Sequence, residues 1–365
     1  MQRLVVSAPG RICLFGEHQD FLGLAVVAAA IDRRIRIEGT ERGDRLLRMD
    51  MPDIGRQDEI DLSKPIEYTK KRDYLRSCVN VLRRTGWDIP RGFDCVMRST
   101  IPINAGVSSS SAMIVCWLMF LLNAAGWDDR YSGEELARLA HQAEVVEFGE
   151  PGGMMDLFAA SLGKLIFVDT RPPFRAEYLP ATLDGFVLDG FVLGDSLEKK
   201  HTLGVLGSSR SDVTDGVKQL TEWYPAFDLQ ETRIEEVSDL VDRLPEHIAR
   251  KIRANLINRN LRIEAVEMLR SGKVNPARLG EMLTLHHEQL RDGIGVSTPK
   301  IDRMIEASIK AGALGGKING SGGGGCMFAY APGREDAVVE AIEREGGKAW
   351  KVVVDTGARI EGSSP

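Results

Sequence analysis

Apolar and polar positions alternate with period two in GFDCVMRST (92–100), the pattern of a strand with one buried face. The opening LVVSAPGRICLFG reads as a strand, a Pro-Gly break and a second strand. In AVVAAAIDRRIRIEGT the β-branched second half predicts another strand, and the charges at 42–45 predict a hairpin after it. Residues 74–82 carry apolar positions at helical spacing. The run at 112–125 is apolar on all sides but too short to span a bilayer, so it predicts a buried helix stopped by Gly126.

Residues 132–148 (SGEELARLAHQAEVVEF) predict a helix with acidic residues in its first turn, where they favour the dipole. A glycine-rich bend (GEPGGMMD), a short helix ending at Gly163 and the strand KLIFVD follow. Pro172, Pro173 and Pro180 mark 170–189 as a seam between two units. Beyond it come the strand FVLGD, helices across 209–270, 274–291 and 299–312, and the stretch GGKINGSGGGGCMFAYAP. A helix at 336–345 and the strand AWKVVVD close the order. The pattern predicts an α+β fold with antiparallel pairing, in two halves and without an internal repeat.

Composition narrows the function. A chain of 365 residues with 43% hydrophobic and 27% charged positions is globular and large enough for two cores. Its net charge of -6, with no long basic block, excludes nucleic acid or an acidic membrane surface as the main partner. A small anionic ligand needs only local positive potential and stays allowed. The N-terminus carries polar residues too early for a signal peptide. Cys13, Cys78, Cys95, Cys116 and Cys326 sit singly in apolar segments, so reduced core thiols and a cytoplasmic setting are expected, without structural zinc.

Four segments could carry chemistry. Residues 104–116 (NAGVSSSSAMIVC) bring small residues and four serines directly before a helix start, where free N–H groups and the positive dipole end converge. Such a start suits an anion, or simply a Ser N-cap. The run GSGGGG at 320–325 formally fits GxGxxG, but a strand-like CMFAYAP follows where the dinucleotide fingerprint requires a helix. It is either a flexible hairpin or a place where backbone lies against something bulky. Around PGR and GEHQD, ionisable groups crowd between apolar strands, as a solvated turn or a polar ligand site; no second His at helical spacing supports metal binding by His18. Glu144 and Asp156, joined by a glycine bend, are surface acids or a Mg²⁺ ligand and a base.

Taken in order, APGRICLFGEHQDFLG, IPINAGVSSSSA and KINGSGGGGC resemble the three motifs of the GHMP small-molecule kinases, which include galactokinase, homoserine kinase, mevalonate kinase and phosphomevalonate kinase. GRxxLxGEHxD, QAE followed by PGGMMD, and LHHEQLRDGIGVSTPKID follow the galactokinase pattern, and the resemblance spans nearly the whole chain. It implies a ribosomal-protein-S5-like N-terminal domain (1–180) and a ferredoxin-like C-terminal domain (181–365). It further implies ATP- and Mg²⁺-dependent phosphorylation of a monosaccharide at the anomeric hydroxyl, by a cytoplasmic monomer or homodimer. Gly106, Ser108, Ser109, Ser110 and Ser111 would wrap the ATP phosphates, with Ser110 and Glu144 holding Mg²⁺. Asp156, paired with Arg11, would act on the attacking hydroxyl; Glu17, His18, Asp20, Gly153 and Gly322 would bind the sugar.

The chain departs from that pattern in places. Galactokinases carry a sugar-contacting Tyr in the segment matching 204–210, where this chain has none. Cys13 replaces an Asn, Ser111 an Ala, and Gly324 a bulky residue. The RIC stretch is also similar to galacturonate kinases, although those lack the acid that is Glu17 here. A galacturonate or other sugar kinase, and an inactive sugar- and ATP-sensing regulator, are the alternative expectations.

Overall fold

The spine of the molecule is a long antiparallel pair, β1 (Arg3–Phe15) and β2 (Val26–Glu41), at the centre of an eight-stranded sheet. The computed structural model describes residues 3–103, 105–127, 130–150, 152–183, 186–199 and 202–364. Pro9-Gly10 does not break the first strand, contrary to the sequence pattern. The register shifts there instead, and Gly10 fits because a Cβ would lie 2.9 Å from the Val107 carbonyl oxygen. The bulge keeps Arg11 and Cys13 on one continuous strand beside the serine segment.

The same sheet holds β3 (Leu46–Met51), β4 (Arg56–Asp61), β5 (Phe93–Ser99), β6 (Leu165–Asp169) and β7 (Arg175–Tyr178). The expected hairpin at 42–45 is absent. Between β2 and β3 lies β5, antiparallel to the former and parallel to the latter, so the charged turn crosses over β5. Gly92 makes that crossing possible: its N–H donates to Asp44 O at 2.7 Å, and a Cβ there would meet the Leu46 carbonyl oxygen at 2.2 Å. Local charge patterning could not reveal a strand supplied from fifty residues further on.

A short hairpin of β8 (Thr182–Leu183) and β9 (Phe186–Val187) leads to a second sheet. It contains β10 (Phe191–Asp195), β11 (Gly315–Ile318), β12 (Cys326–Tyr330) and β13 (Lys348–Val352) in the order β11-β12-β10-β13. The glycine run therefore joins two antiparallel strands, in keeping with rejection of the dinucleotide fingerprint. The chain ends in β14 (Arg359–Ser364), which the pattern did not suggest and which pairs with β1 on the edge of the first sheet.

Helices α1 (Tyr74–Arg84), α2 (Ser109–Ala124), α3 (Gly133–His141) and α4 (Met155–Leu162) belong to the first half. The second half holds α5 (Thr202–Trp223), α6 (Ile234–Val241), α7 (Glu246–Ser271), α8 (Pro276–Glu288), α9 (Pro299–Lys310) and α10 (Glu335–Arg344). Buried α2 seats the Phe120 ring over Gly39, where a Cβ would come within 2.3 Å. Trp117 Nε1 donates to the Leu75 carbonyl at 3.1 Å, fixing α2 against α1. This burial, not intrinsic propensity, anchors the serine segment at its N-terminus. A separate core, including Ile301, Met304, Ile318, Met327 and Ile342, holds α9 and α10 on the second sheet. All five cysteines are buried and none is in a disulfide. Among the described residues no helix is long and apolar enough to cross a membrane.

Candidate active site

The serine loop delivers a helix N-terminus to the floor of a cleft. First-turn N–H groups of α2 have no intrahelical acceptor, and the positive end of the helix dipole lies with them. Ser108 stands at the N-cap position with φ of 61°, but its side chain makes no capping hydrogen bond. The expected Ser cap is thus corrected. The left-handed backbone turns Ser108 Oγ away from the helix N–H groups, and that oxygen is buried without a partner. A buried hydroxyl left unpaired at a helix start is what a phosphate would satisfy.

Opposite this loop, the helix predicted through 148 is regular only to His141 and continues as a π turn, Gln142–Val146. Its one wide turn carries Glu144, whose Oε2 accepts from Ser111 Oγ at 2.8 Å. Burial pushes the Glu144 carboxyl up to about 7; Ser111 and Ser110 hydroxyls partly offset this, and nearby Asp156 adds to it. Such a carboxyl gains from a cation.

Asp156 stands in the first turn of α4, directly after the glycine bend. Arg11 reaches it from β1: Nε donates to Asp156 Oδ1 at 2.7 Å, and a terminal N–H donates to the Gly106 carbonyl at 2.7 Å. The Arg11 side chain is 4% exposed and that of Asp156 30%, so the pair presents its carboxylate to the cleft. Burial disfavours the guanidinium charge, but Asp156 and Glu17 outweigh it and raise the Arg11 pKa. Asp20 opens the short 3-10 turn, Asp20–Leu22, beyond the end of β1. Burial and then the Asp156 charge lift its carboxyl to about 7. Gly153 lies flat against it, since a Cβ there would sit 1.9 Å from Asp20 Oδ2. His18, with φ of 62°, packs edge-on to Phe21 at 6.1 Å between ring centroids.

The third motif closes the back of the site. Gly320 has φ of 81° and touches Gly106: a Cβ would come within 2.5 Å of its carbonyl oxygen. Asn319 Nδ2 donates to that same carbonyl at 2.8 Å, while its Oδ1 accepts from the Cys13 N–H at 2.9 Å. Ser321 Oγ is buried and unpartnered, as Ser108 Oγ is. Gly322 does not reach the cleft; it packs on Val296, which limits it to shaping the loop.

A cleft of about 350 Å³ results, lined by Arg11, Glu17, His18, Asp20, Gly106, Ser108, Ser109, Ser110, Ser111, Glu144, Gly153 and Asp156. Every residue singled out from the sequence except Gly322 is therefore on one surface. A second pocket of about 270 Å³ shares Ser109 and Ser110 with it and has apolar walls that include Met51, Ile54, Met97, Ile103 and Met113. Sequence reasoning missed Arg72, which lines both pockets and pairs with Glu150. It also missed Lys317 and Asn319, although both lie inside the quoted KING stretch. Among the described residues no group of three or more His, Cys, Asp and Glu could hold a metal ion by itself.

Comparison with known proteins fits this arrangement. Residues 73–164 match the GHMP kinases N terminal domain, 272–349 the GHMP kinases C terminal region, and 1–40 the galactokinase galactose-binding signature. A galactokinase of Roseiflexus sp. (strain RS-1) is 30% identical over 358 residues, covering 95% of this chain and 87% of the relative. The chain belongs to the GHMP kinase family. A mevalonate kinase of Pyrococcus abyssi (strain GE5 / Orsay) is 31% identical over 379 residues, with 99% of each chain covered. The fold is that of Lactococcus lactis galactokinase, solved in complex with galactose, at a TM-score of 0.84, 23% identity and 98% and 95% coverage. This GHMP kinase is an ATP-dependent, galactokinase-like enzyme of the two-domain α+β fold.

Proposed function

We propose that this kinase moves the γ-phosphoryl group of ATP to the anomeric hydroxyl of a neutral monosaccharide, giving a sugar 1-phosphate. The observation that carries the acceptor class is the charge at the acceptor end of the cleft. Glu17, Asp20 and Asp156 line it, and Arg11 is already engaged by Asp156 and the Gly106 carbonyl. Carboxylates accept hydrogen bonds from hydroxyl groups, as a polyol offers them. A mevalonate or galacturonate carboxylate would meet like charge there. The galactose-binding signature over 1–40 supports the same reading.

In this reading the α2 N-terminus and the hydroxyls of Ser108, Ser109, Ser110 and Ser111 bind the ATP phosphates. The apolar pocket adjoining Ser109 and Ser110 takes the base. Ser110 and Glu144 would hold Mg²⁺, which supplies neutralisation of phosphate charge; a buried carboxyl near 7 beside two hydroxyls fits such an ion. Asp156 accepts the proton of the attacking hydroxyl or orients it. Arg11 fixes the carboxylate in place through its hydrogen bond to Oδ1. Asp20, His18 and Glu17 hold the remaining hydroxyls, and Gly153 lets Asp20 lie close. Gly320 and Ser321 bring the proposed unit 181–365 to a cleft otherwise lined from the proposed unit 1–180, and β14 completes the first sheet. Phosphoryl transfer needs mainly positioning and charge neutralisation, which this set provides.

An inactive sugar-sensing regulator would have no need of Arg11, Asp156, Glu144 and the serine loop together on one surface. A coupled ADP-release assay with galactose, galacturonate, arabinose, fucose and mevalonate tests the proposal. ADP release with a neutral sugar and not with galacturonate or mevalonate supports it; release with galacturonate or mevalonate alone, or with no acceptor at all, overturns it.

A further inference from the structure

Lys317 is the deepest charged side chain at the site. Its side chain is fully buried, and its ammonium donates to the Cys13 carbonyl at 2.8 Å, the Ile318 carbonyl at 2.8 Å and Glu17 Oε2 at 3.1 Å. All three donors of the ammonium are thereby used. The Phe328 ring lies 5.2 Å from the same nitrogen. Lys317 comes from β11, whereas Cys13 and Glu17 belong to the first motif, about 300 residues earlier in the chain. Glu17 is 2% exposed, yet it lines the cleft.

We propose that Lys317 is a positioning residue for the acceptor: it holds Glu17 as an oriented carboxylate and locks the third motif onto the first. This rests on the reading of Glu17 as an acceptor-binding group. A buried carboxylate without a counter-ion takes up a proton. Burial alone would raise Glu17, but Lys317, Arg11 and the Gly320 N–H outweigh it and bring its pKa to about 2. The other groups facing it are His18 and Asp20 on its own turn, Cys13 on β1 and neutral His286 on α8. Arg11 is shared with Asp156, so Lys317 is the cation that Glu17 does not share with another side-chain carboxylate.

The test compares wild type, Lys317→Met, Lys317→Arg and the double variant Glu17→Gln/Lys317→Met in the full-length enzyme. Glutamate is labelled with ¹³C at the side-chain carboxyl, and the Glu17 resonance is assigned by its loss in Glu17→Gln. In wild type this resonance does not titrate above about pH 4; in Lys317→Met it titrates above about pH 5. With galactose as the acceptor probe, Lys317→Met raises the galactose KM about tenfold or more and leaves the ATP KM within about twofold. It also adds an acid limb to kcat/KM that Lys317→Arg removes. If Lys317→Met is too unstable to study, the double variant is compared with Glu17→Gln, since a lysine that acts through Glu17 adds no further rise in galactose KM once Glu17 is gone. The double variant carries no unpaired buried charge, so its Tm recovers while the galactose KM stays high.

A Glu17 resonance that remains untitrated in Lys317→Met, or a double variant whose galactose KM rises well above that of Glu17→Gln, overturns the proposal and leaves Lys317 a purely structural lysine. A wild-type enzyme inactive on galactose would contradict the proposed function instead; the resonance still decides the role of Lys317.

Discussion

Arg11 Nε donates to Asp156 Oδ1 at 2.7 Å across 145 positions of sequence, with the arginine buried and the aspartate open to the cleft. The same guanidinium holds the Gly106 carbonyl of the serine loop. One side chain thus fixes the distance between the carboxylate proposed to face the acceptor and the loop proposed to hold the phosphates. Asp156→Asn is expected to fold normally and to lose roughly 10²–10³-fold in kcat. Arg11→Met should lose a comparable factor and also stability, because it leaves Asp156 without its partner. Steady-state kinetics with thermal unfolding of each variant checks both.

Glu144 provides a pH signature. Its folded pKa of about 7 lies above the ordinary value of 4.5, so the native state binds that proton more tightly than the unfolded chain. Stability from this group is greatest below about pH 4.5 and is lost as pH rises through about 7, by roughly 3 kcal/mol in all. Glu144→Gln removes the penalty. Without nucleotide, its Tm should exceed that of wild type at pH 8 and match it near pH 5, while kinase activity falls. Equal Tm at both pH values would contradict the raised pKa.

Ser108 gives the converse test at the phosphate loop. Its Oγ is buried without a partner, so Ser108→Ala should leave the Tm of the free enzyme unchanged or slightly raised. The ATP KM should rise by about tenfold, in line with one lost hydrogen bond to a charged group. A lowered Tm with an unchanged ATP KM would mean that the hydroxyl serves the fold.

Much of this site was legible in the sequence because its parts are local. The serine run, GEHQD and PGGMMD are each contiguous, and their chemistry shows in their residue types. The partners that hold them are not local. Lys317 looks like an ordinary strand lysine until β11 is placed against the first motif. The π turn that carries Glu144 has no signature in QAEVV, since helical periodicity tolerates one wide turn. The crossing of β2 to β3 over β5 depends on Gly92, far beyond any window in which charges at 42–45 can be read. Ser108 reads as a cap because serine usually caps; its left-handed backbone, two residues after the Gly106 that Gly320 and Arg11 hold, has no signal in the local sequence.

A substitution at Gly153 tells the proposed acceptor end of the cleft from the proposed nucleotide end. A Cβ at this position would occupy the space of the Asp20 carboxylate. Gly153→Ala should therefore raise the acceptor KM by about tenfold or more, with little change in ATP KM. Calorimetric titration with the acceptor and with an ATP analogue separates the two effects. A loss confined to the nucleotide would refute the assignment of Asp20 to the acceptor.

The central claim is that a hydroxyl held at Asp156 attacks ATP to give a sugar 1-phosphate. The most direct measurement is ³¹P NMR of the product formed from ATP, Mg²⁺ and galactose, with ¹³C labelling at C1 to report phosphorus coupling. The account predicts an anomeric phosphate monoester formed by wild type and not by Asp156→Asn. A phosphate on any other hydroxyl, or a product formed equally well by Asp156→Asn, would contradict it.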